Sequence, residues 1–167
     1  MAGSRSVGKT ALTIQFTEER FVEDYNPTIE STHKKIFKHR NTYFTANIID
    51  TAGVDEWSIF QQRHGIGIDG YVLVYSITNK NSFQRIKVLN DKILNATGNE
   101  NIPRIIVGNK SDLLSQRKVS VEEGQELAKE LRCSYIECSA KTSEHIAEIF
   151  HYLLDKIEGT EGIPQNP

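Results

Sequence analysis

The stretch of sequence that decides the fold is Gly3-Ser4-Arg5-Ser6-Val7-Gly8-Lys9-Thr10. It fits the pattern G-x-x-x-x-G-K-[ST], a loop that passes from a strand into a helix. Glycines at both ends let the backbone turn tightly, so that successive N–H groups point inward and form an anion cradle. The lysine adds a positive charge, and the threonine hydroxyl suits a magnesium ion. The loop therefore predicts a site for the phosphates of a nucleoside triphosphate.

The composition is that of one globular domain: 167 residues, 38% hydrophobic and 25% charged, with a net charge of −2. This charge balance argues against a nucleic-acid partner, which needs a basic stripe. No apolar run reaches the roughly 18 residues that span a bilayer, and the N-terminus has no signal-peptide pattern. We expect Cys133 and Cys138 to be reduced thiols. We expect the five scattered histidines to be structural or surface residues that form no ligand cluster.

The remainder of the chain alternates apolar runs with amphipathic segments. Near-continuous apolar runs such as 71–77 are typical of strands that are buried on both faces. The predicted strands are 33–38, 43–50, 71–77, 104–108 and 134–138, and the predicted helices run from the phosphate loop to about 17, 79–95, 121–131 and 143–156. Ser120 and Ser143 are the predicted N-caps of the last two helices.

This alternation predicts an α/β three-layer fold with a mostly parallel sheet, in which the ligand lies at the carboxyl ends of the strands. The lysine-rich strand 33–38 is predicted to be an antiparallel edge strand, since lysine discourages unwanted pairing, and residues 39–42 to be a hairpin connection. We expect a single domain over residues 1–158 and a flexible tail at 159–167.

Polar motifs follow three of the predicted strands. Asp50-Thr51-Ala52-Gly53 places a carboxylate at a strand end, where a magnesium-binding acid belongs. The Gly53 N–H is free to approach a terminal phosphate without a side-chain clash. An ordinary turn after a strand is the alternative interpretation.

Asn109-Lys110-Ser111-Asp112 follows the next buried strand but one. An Asp carboxylate can accept two parallel hydrogen bonds from N1–H and N2–H₂ of guanine, whereas adenine has an acceptor at N1 and would leave the carboxylate unpaired. Ser139-Ala140-Lys141 follows the last strand, where backbone N–H groups suit the guanine O6. Polar loops without a ligand are the alternative for both motifs.

Taken in order, five motifs closely resemble those of the Ras superfamily of small GTPases. They are 3–10, Tyr25-Asn26-Pro27-Thr28-Ile29-Glu30, 50–53, 109–112 and 139–141, and the resemblance extends from Gly3 to about Glu158. Within that superfamily, Arg5-Ser6 and the run Asp55-Glu56-Trp57-Ser58-Ile59-Phe60 look most like the Rheb branch. The resemblance implies a P-loop NTPase fold and a GTP-binding switch that uses GTP, GDP and Mg²⁺ and hydrolyses GTP slowly.

The resemblance also implies roles for individual residues. Lys9, Thr28 and Gly53 would act on the γ-phosphate, and Thr10, Thr28 and Asp50 would hold Mg²⁺. The residues expected to bind the nucleotide are Gly3, Ser6, Val7, Gly8, Lys9, Thr10, Ala11, Phe21, Tyr25, Thr28, Gly53, Asn109, Lys110, Asp112, Ser139, Ala140 and Lys141. For Phe21, a core or surface aromatic is the competing interpretation.

By the same resemblance, the segments near Thr28 and Gly53 are switches that contact effectors, exchange factors and activating proteins. Residues 25–30, the lysine-rich strand and Trp57 would form that surface, although Trp57 also suits a buried position. We expect a monomer in the cytoplasm, at the cytoplasmic face of membranes if the full-length protein is prenylated. The chain ends without a prenylation box, so any lipid anchor would belong to a tail that is not present here.

Two residues depart from the family pattern. Val54 stands where the family usually has a glutamine that orients the attacking water, and valine cannot hydrogen-bond a water. This predicts very slow hydrolysis, or, as the alternative function, a guanine-nucleotide-dependent binding module with negligible hydrolysis. Arg5 occupies a position often held by glycine, and it would assist, block or point to solvent. A P-loop ATPase or kinase is a third interpretation, which Asp112 disfavours.

The usual first strand is missing from the sequence, because only Met1 and Ala2 precede the loop. Losing some four buried side chains at about 1.5–3 kcal/mol each would remove roughly 6–12 kcal/mol, which rivals the stability of a typical domain. We therefore expect the N-terminus to be truncated or edited.

Overall fold

The computed structural model describes residues 1–23, 30–51 and 67–159. Within them four helices surround a four-stranded sheet, and a two-stranded hairpin lies beside it. The elements are β1 (Ala2–Gly3), α1 (Lys9–Glu18), β2 (Ser31–His39), β3 (Thr42–Asp50), β4 (Tyr71–Ser76), α2 (Lys80–Thr97), β5 (Arg104–Asn109), a 3-10 helix (Leu114–Gln116), α3 (Val121–Leu131), β6 (Ser134–Glu137) and α4 (Ile146–Ile157).

The larger sheet is parallel, in the order β1-β4-β5-β6. Every residue of β4 and β5 is buried, as their apolar runs predicted. Alternate side chains of β4 face opposite layers, since Val72 and Val74 pack with α1 and α4, and Leu73 and Tyr75 pack with α2 and α3. The predicted three-layer α/β fold with a mostly parallel sheet is therefore confirmed.

The strand that leads into the phosphate loop is present as two residues. Ala2 and Gly3 pair in parallel with Leu73 and Val74, which refines the expectation that this strand is missing altogether. Gly3 has φ +156, and a Cβ there would lie 2.2 Å from the Val74 carbonyl oxygen, so a side chain does not fit. A cavity of about 450 Å³ lies beside this short strand, between β3, β4 and α4.

The hairpin pairs β2 with β3 in antiparallel register, from Ser31 opposite Asp50 to His39 opposite Thr42. Arg40 and Asn41 form its turn and both have positive φ, 45 and 65, so the predicted hairpin connection is confirmed. The hairpin is tied to the N-terminus, because the Thr51 hydroxyl donates to the Met1 carbonyl at 2.7 Å.

The first residues of α3 and α4 can be compared with the two predicted N-caps. Ser120 caps α3 in a complete capping box with Glu123, as predicted. The prediction for Ser143 is wrong, because α4 begins at Ile146 after His145, whose φ is 58 and whose side chain does not cap the helix. The reason is a local bridge in which Ser139 and Glu144 exchange two backbone hydrogen bonds of 3.1 Å, so the chain cannot enter the helix until it has left this bridge.

The histidines are less scattered than their sequence positions indicate. His39 Nδ1 and His151 Nδ1 lie 2.7 Å apart and share a hydrogen bond, and His39 Nε2 lies 2.7 Å from Asp155 Oδ1. In the described part of the chain, no group of three or more His, Cys, Asp or Glu side chains is arranged to hold a metal ion. None of the described helices combines the length and apolarity needed to cross a membrane.

Candidate functional site

The phosphate loop turns from β1 into α1 at the carboxyl end of the parallel sheet. Val7 is buried beneath it, and Gly8 has φ +96 at the start of the helix. A Cβ on Gly8 would lie 2.3 Å from Asn109 Nδ2. The second glycine of the motif is therefore required by its backbone conformation and by the close approach of Asn109.

Lys9 folds back over the loop that precedes it. Its Nζ donates to the carbonyl oxygens of Gly3, at 2.7 Å, and Ser4, at 2.8 Å. Burial lowers the pKa of Lys9 to about 8, and the nearby Asp50 carboxylate opposes this shift. Burial removes water from this ammonium group. Phosphate oxygens bound on the loop would stabilise its charged form, because they replace the lost hydration with charge-assisted hydrogen bonds.

The Asp50 carboxylate lies beside the first turn of α1. The Thr10 hydroxyl donates to Asp50 Oδ2 at 2.7 Å. Asp50 is fully buried, and its Oδ1 has no hydrogen-bond partner among the described residues. A buried and unpaired carboxylate oxygen is unfavourable unless a cation or a donor meets it. The pair of Asp50 and Thr10 offers hard oxygen ligands and therefore fits Mg²⁺.

Asn109 connects three parts of the site. Its Nδ2 donates to the Val7 carbonyl at 2.8 Å, and its Oδ1 accepts from the Ala140 N–H at 3.3 Å. The Cys138 thiol also donates weakly to Oδ1, at 3.5 Å. In the described residues, the Asn109 side chain thus ties the phosphate loop to the segment after β6.

The predicted base-recognising residues lie on two adjacent loops. We define loop A as residues 109–113 and loop B as residues 138–142. The Asp112 carboxylate in loop A accepts a hydrogen bond of 2.7 Å from the Ser139 hydroxyl in loop B, which itself accepts from the Thr142 N–H. The hydrogen bond from Ser139 therefore restrains the orientation of the Asp112 carboxylate.

Lys110, in loop A, reaches the phosphate loop with its side chain. Its Nζ donates to the Ser6 carbonyl at 2.8 Å, and burial lowers its pKa. Its backbone has φ 66, in the left-handed region. The long side chain therefore spans the distance from loop A to the phosphate loop.

Most of the predicted site residues converge on one edge of the sheet. Those brought together are Gly3, Ser6, Val7, Gly8, Lys9, Thr10, Asp50, Asn109, Lys110, Asp112, Ser139 and Ala140. Ala11 is half-buried in α1, Phe21 is exposed just after α1, and Lys141 is exposed in loop B. Tyr25, Thr28, Gly53, Val54 and Trp57 lie outside the described residues.

Sequence reasoning missed Gln15. It lies on the buried face of α1, and its Nε2 donates to the Ala140 carbonyl at 2.8 Å. The sequence contains a signal for this residue, because Gln15 lies between Leu12 and Phe16 on the apolar face of α1. A buried amide at such a position needs a hydrogen-bond partner. Gln15 anchors loop B to the helix that follows the phosphate loop.

Comparison with known proteins gives a consistent result. The family model described as "Ras family" matches residues 1–159. The chain is 54% identical over 156 residues to "GTP-binding protein rhb1" of Schizosaccharomyces pombe, covering 93% of this chain and 84% of that relative. It is 48% identical over 165 residues to "GTP-binding protein Rheb homolog" of Dictyostelium discoideum, with 99% and 89% covered. Human "GTP-binding protein Rheb" is 44% identical over 160 residues, with 96% and 87% covered.

Proposed function

Because the chain belongs to the Ras family, and within it to the Rheb branch, we propose that it is a GTPase switch that binds GTP and GDP with Mg²⁺. The observation that carries this proposal is the Lys9 ammonium group, held over the phosphate loop beside the buried Asp50 carboxylate with its unpaired oxygen. A cation and an acceptor in this arrangement suit a polyphosphate and its metal ion. The fixed carboxylate of Asp112 supports guanine as the base.

The reaction is the attack of water on the γ-phosphate. Lys9 stabilises the charge that develops on the terminal phosphates, together with the N–H groups of the phosphate loop and of Gly53. Thr10, Thr28 and Asp50 would hold Mg²⁺, which when bound supplies Lewis-acid stabilisation of the phosphoryl oxygens. Ser6, Val7, Gly8 and Ala11 contribute backbone contacts to the phosphates.

At the other end of the nucleotide, three side chains act on the base. Asp112 accepts from the two guanine donors, Lys110 lies along the base face, and Phe21 packs on the base edge. Backbone groups of Ser139, Ala140 and Lys141 meet the guanine O6, and Tyr25 completes the proposed set. Asn109 acts by joining the two halves of the site, for which its hydrogen bonds to Val7 and Ala140 are the support.

The base preference provides the test of the proposal. Calorimetry on the full chain with Mg²⁺ should give GTP binding at least about 100-fold tighter than ATP binding, because adenine leaves the Asp112 carboxylate unpaired. Replacing Asp112→Asn should remove most of this preference, since an amide cannot accept from both guanine donors. Tighter binding of ATP than of GTP would overturn the proposal.

We further propose that hydrolysis is slow, because Val54 cannot orient a water molecule. Single-turnover GTP hydrolysis should be faster in Val54→Gln than in the natural chain, since one positioned water is worth several kcal/mol of barrier. An unchanged rate would contradict this role for position 54.

A second candidate function is a guanine-nucleotide-dependent binding module with negligible hydrolysis, and Val54 is the residue that favours it. The nucleotide released from the purified protein separates the two functions. Mostly GDP supports the hydrolysing switch, and mostly GTP supports the binding module.

We also propose that the chain acts as a monomer and contacts effectors, exchange factors and activating proteins. The surface would comprise residues 25–30, the β2 strand and Trp57, and the exposed lysines of β2 support this part of it. We place the protein in the cytoplasm, with membrane association only through a lipidated tail.

A further inference from the structure

An ion pair joins the segments that flank the two base-recognising loops. Arg117 follows loop A by way of the short 3-10 helix, and Glu137 is the last residue of β6, directly before loop B. Both Arg117 Nη atoms donate to the Glu137 carboxylate, each at 2.7 Å, so the contact is bidentate. The two side chains are 22% and 15% exposed, which protects the contact from screening by solvent.

Neighbouring groups hold the two partners of this ion pair in place. Arg117 Nη1 also donates to the Val119 carbonyl at 2.9 Å. The Tyr135 hydroxyl donates to Glu137 Oε1 at 3.0 Å and shares a hydrogen bond with the Tyr75 hydroxyl. Burial raises the pKa of Tyr75 to about 12 and raises that of Tyr135 further, so both phenols stay neutral donors. The Glu137 carboxylate therefore has little freedom to reorient.

The loops also contact each other closer to the proposed base site. Ser139 donates to Asp112, as described above, and the Ser111 N–H donates to the Cys138 carbonyl at 3.0 Å. The Ser139–Asp112 hydrogen bond has one charged partner, and the Ser111–Cys138 hydrogen bond has none. The Arg117–Glu137 pair is the bidentate contact between the outer ends of the same two segments.

Resting on the proposed function, we propose that Arg117 and Glu137 are positioning residues that fix the Asp112 carboxylate against the guanine base. Neither side chain has to touch the nucleotide for this role. Their bidentate contact limits how far loop A and loop B separate, and so keeps the Ser139–Asp112 hydrogen bond formed. Without it, Asp112 samples orientations that meet one guanine donor instead of two.

The experiment compares the dissociation of two fluorescently labelled nucleotides, GDP and IDP, from the full chain with Mg²⁺. IDP lacks the N2 amine, so it offers Asp112 one donor where GDP offers two. We expect IDP to leave the natural chain about tenfold faster than GDP, which corresponds to one lost hydrogen bond to a charged group. In Glu137→Gln and Arg117→Gln, GDP should leave several times faster and the ratio of IDP to GDP rates should shrink.

The double variant should resemble either single variant, because each substitution removes the same contact. Arg117→Lys, which keeps the charge and one hydrogen bond, should give an intermediate rate ratio and serves as the variant least disruptive to folding. Lys87→Met is the matched control, since it removes an exposed ion pair with Glu130 between α2 and α3, and it should leave both rates unchanged.

Equal acceleration of GDP and IDP in the Arg117 and Glu137 variants would overturn the positioning role, since it indicates a general loosening of the fold. Unchanged rates in these variants would also overturn it. Failure of the natural chain to retain GDP at all would instead contradict the proposed function, so the two failures are distinguishable.

Discussion

Two regions of the molecule bury polar side chains, and they treat them differently. At the nucleotide edge of the sheet, the buried side-chain atoms without a hydrogen-bond partner are Ser4 Oγ, Asp50 Oδ1 and Ser111 Oγ, and the structure identifies no others among the described residues. Between the hairpin and α4, the buried His39 is paired with the half-buried His151 and Asp155, and with Arg40 these residues form what we call the hairpin cluster. There His39 bonds both His151 and Asp155, and Arg40 lies 3.0 Å from the same carboxylate.

The difference distinguishes a site prepared for a ligand from a structural polar cluster. An unpaired buried polar group costs about 1–3 kcal/mol, and native proteins contain few of them. They are concentrated at the phosphate loop, Asp50 and loop A, so these atoms lack partners among the described residues and are available to a ligand. In the hairpin cluster the polypeptide supplies the partners itself, so its polar groups stabilise the fold.

The largest effect is expected from Lys9→Met. Triphosphate affinity should fall about 1000-fold, or about 4 kcal/mol, because the charged donor over the loop is lost. The free energy of unfolding of the nucleotide-free chain should change by less than about 1 kcal/mol, since losing two hydrogen bonds to carbonyls is offset by removing a buried ammonium group. Calorimetric titration and urea unfolding measure the two quantities.

Lys9→Met can also contradict the distinction between the nucleotide edge and the hairpin cluster. A nucleotide-free chain that loses several kcal/mol of stability would mean that Lys9 belongs to a structural cluster, like the residues at the hairpin. Lys87→Met, on the exposed surface of α2, is the control for loss of a lysine, and it should change neither affinity nor stability measurably.

Much of the nucleotide edge was predictable from the sequence, because its information is local. The spacing from Gly3 to Thr10 predicts the loop, the apolar runs predict β4 and β5, and the carboxyl ends of adjacent parallel strands must meet at one edge. Asp112 follows the parallel strand β5, so its position at this edge required only the correct fold class. Asp50 ends β3 in the separate antiparallel hairpin, and its prediction came from the local pattern of a carboxylate at a strand end.

The hairpin cluster was not predictable in the same way. His39 and His151 are 112 residues apart, and no local pattern pairs a hairpin turn with one face of the last helix. The start of α4 was also missed, since the bridge between Ser139 and Glu144 overrides the capping preference of Ser143. Contacts between distant segments decide both features, and single-sequence patterns do not carry that information.

An intermediate effect is expected from Asp155→Ala. The substitution removes the acceptor of the His39 Nε2 hydrogen bond and the partner of Arg40, so unfolding should require about 2 kcal/mol less. The GDP dissociation rate should stay within about twofold of the natural chain's, because the cluster lies away from the phosphate and base loops. Asp91→Ala, at an exposed position of α2, is the matched control and should change stability by less than about 0.5 kcal/mol. Accelerated GDP release in Asp155→Ala would show that the two regions are coupled.

The smallest effect is a pH dependence at the same cluster. Burial, and then the charge of His39, lowers the pKa of His151, while Glu148 and Asp155 oppose the shift and Arg40 lies beside Asp155. A histidine whose pKa is lower in the folded state binds its proton more readily when unfolded, so stability is complete above the ordinary value near 6.5 and is lost as the pH falls through and below it.

Urea unfolding at pH 7.5 and 5.5 should therefore show a larger loss of stability in the natural chain than in His151→Asn. The amide of Asn can bond His39 without titrating, so the variant isolates the proton from the hydrogen bond. His33→Gln, on β2 and away from this pair, should retain the full loss. If His151→Asn loses as much stability as the natural chain between these two pH values, then protonation of the His39–His151 pair is not what destabilises the fold.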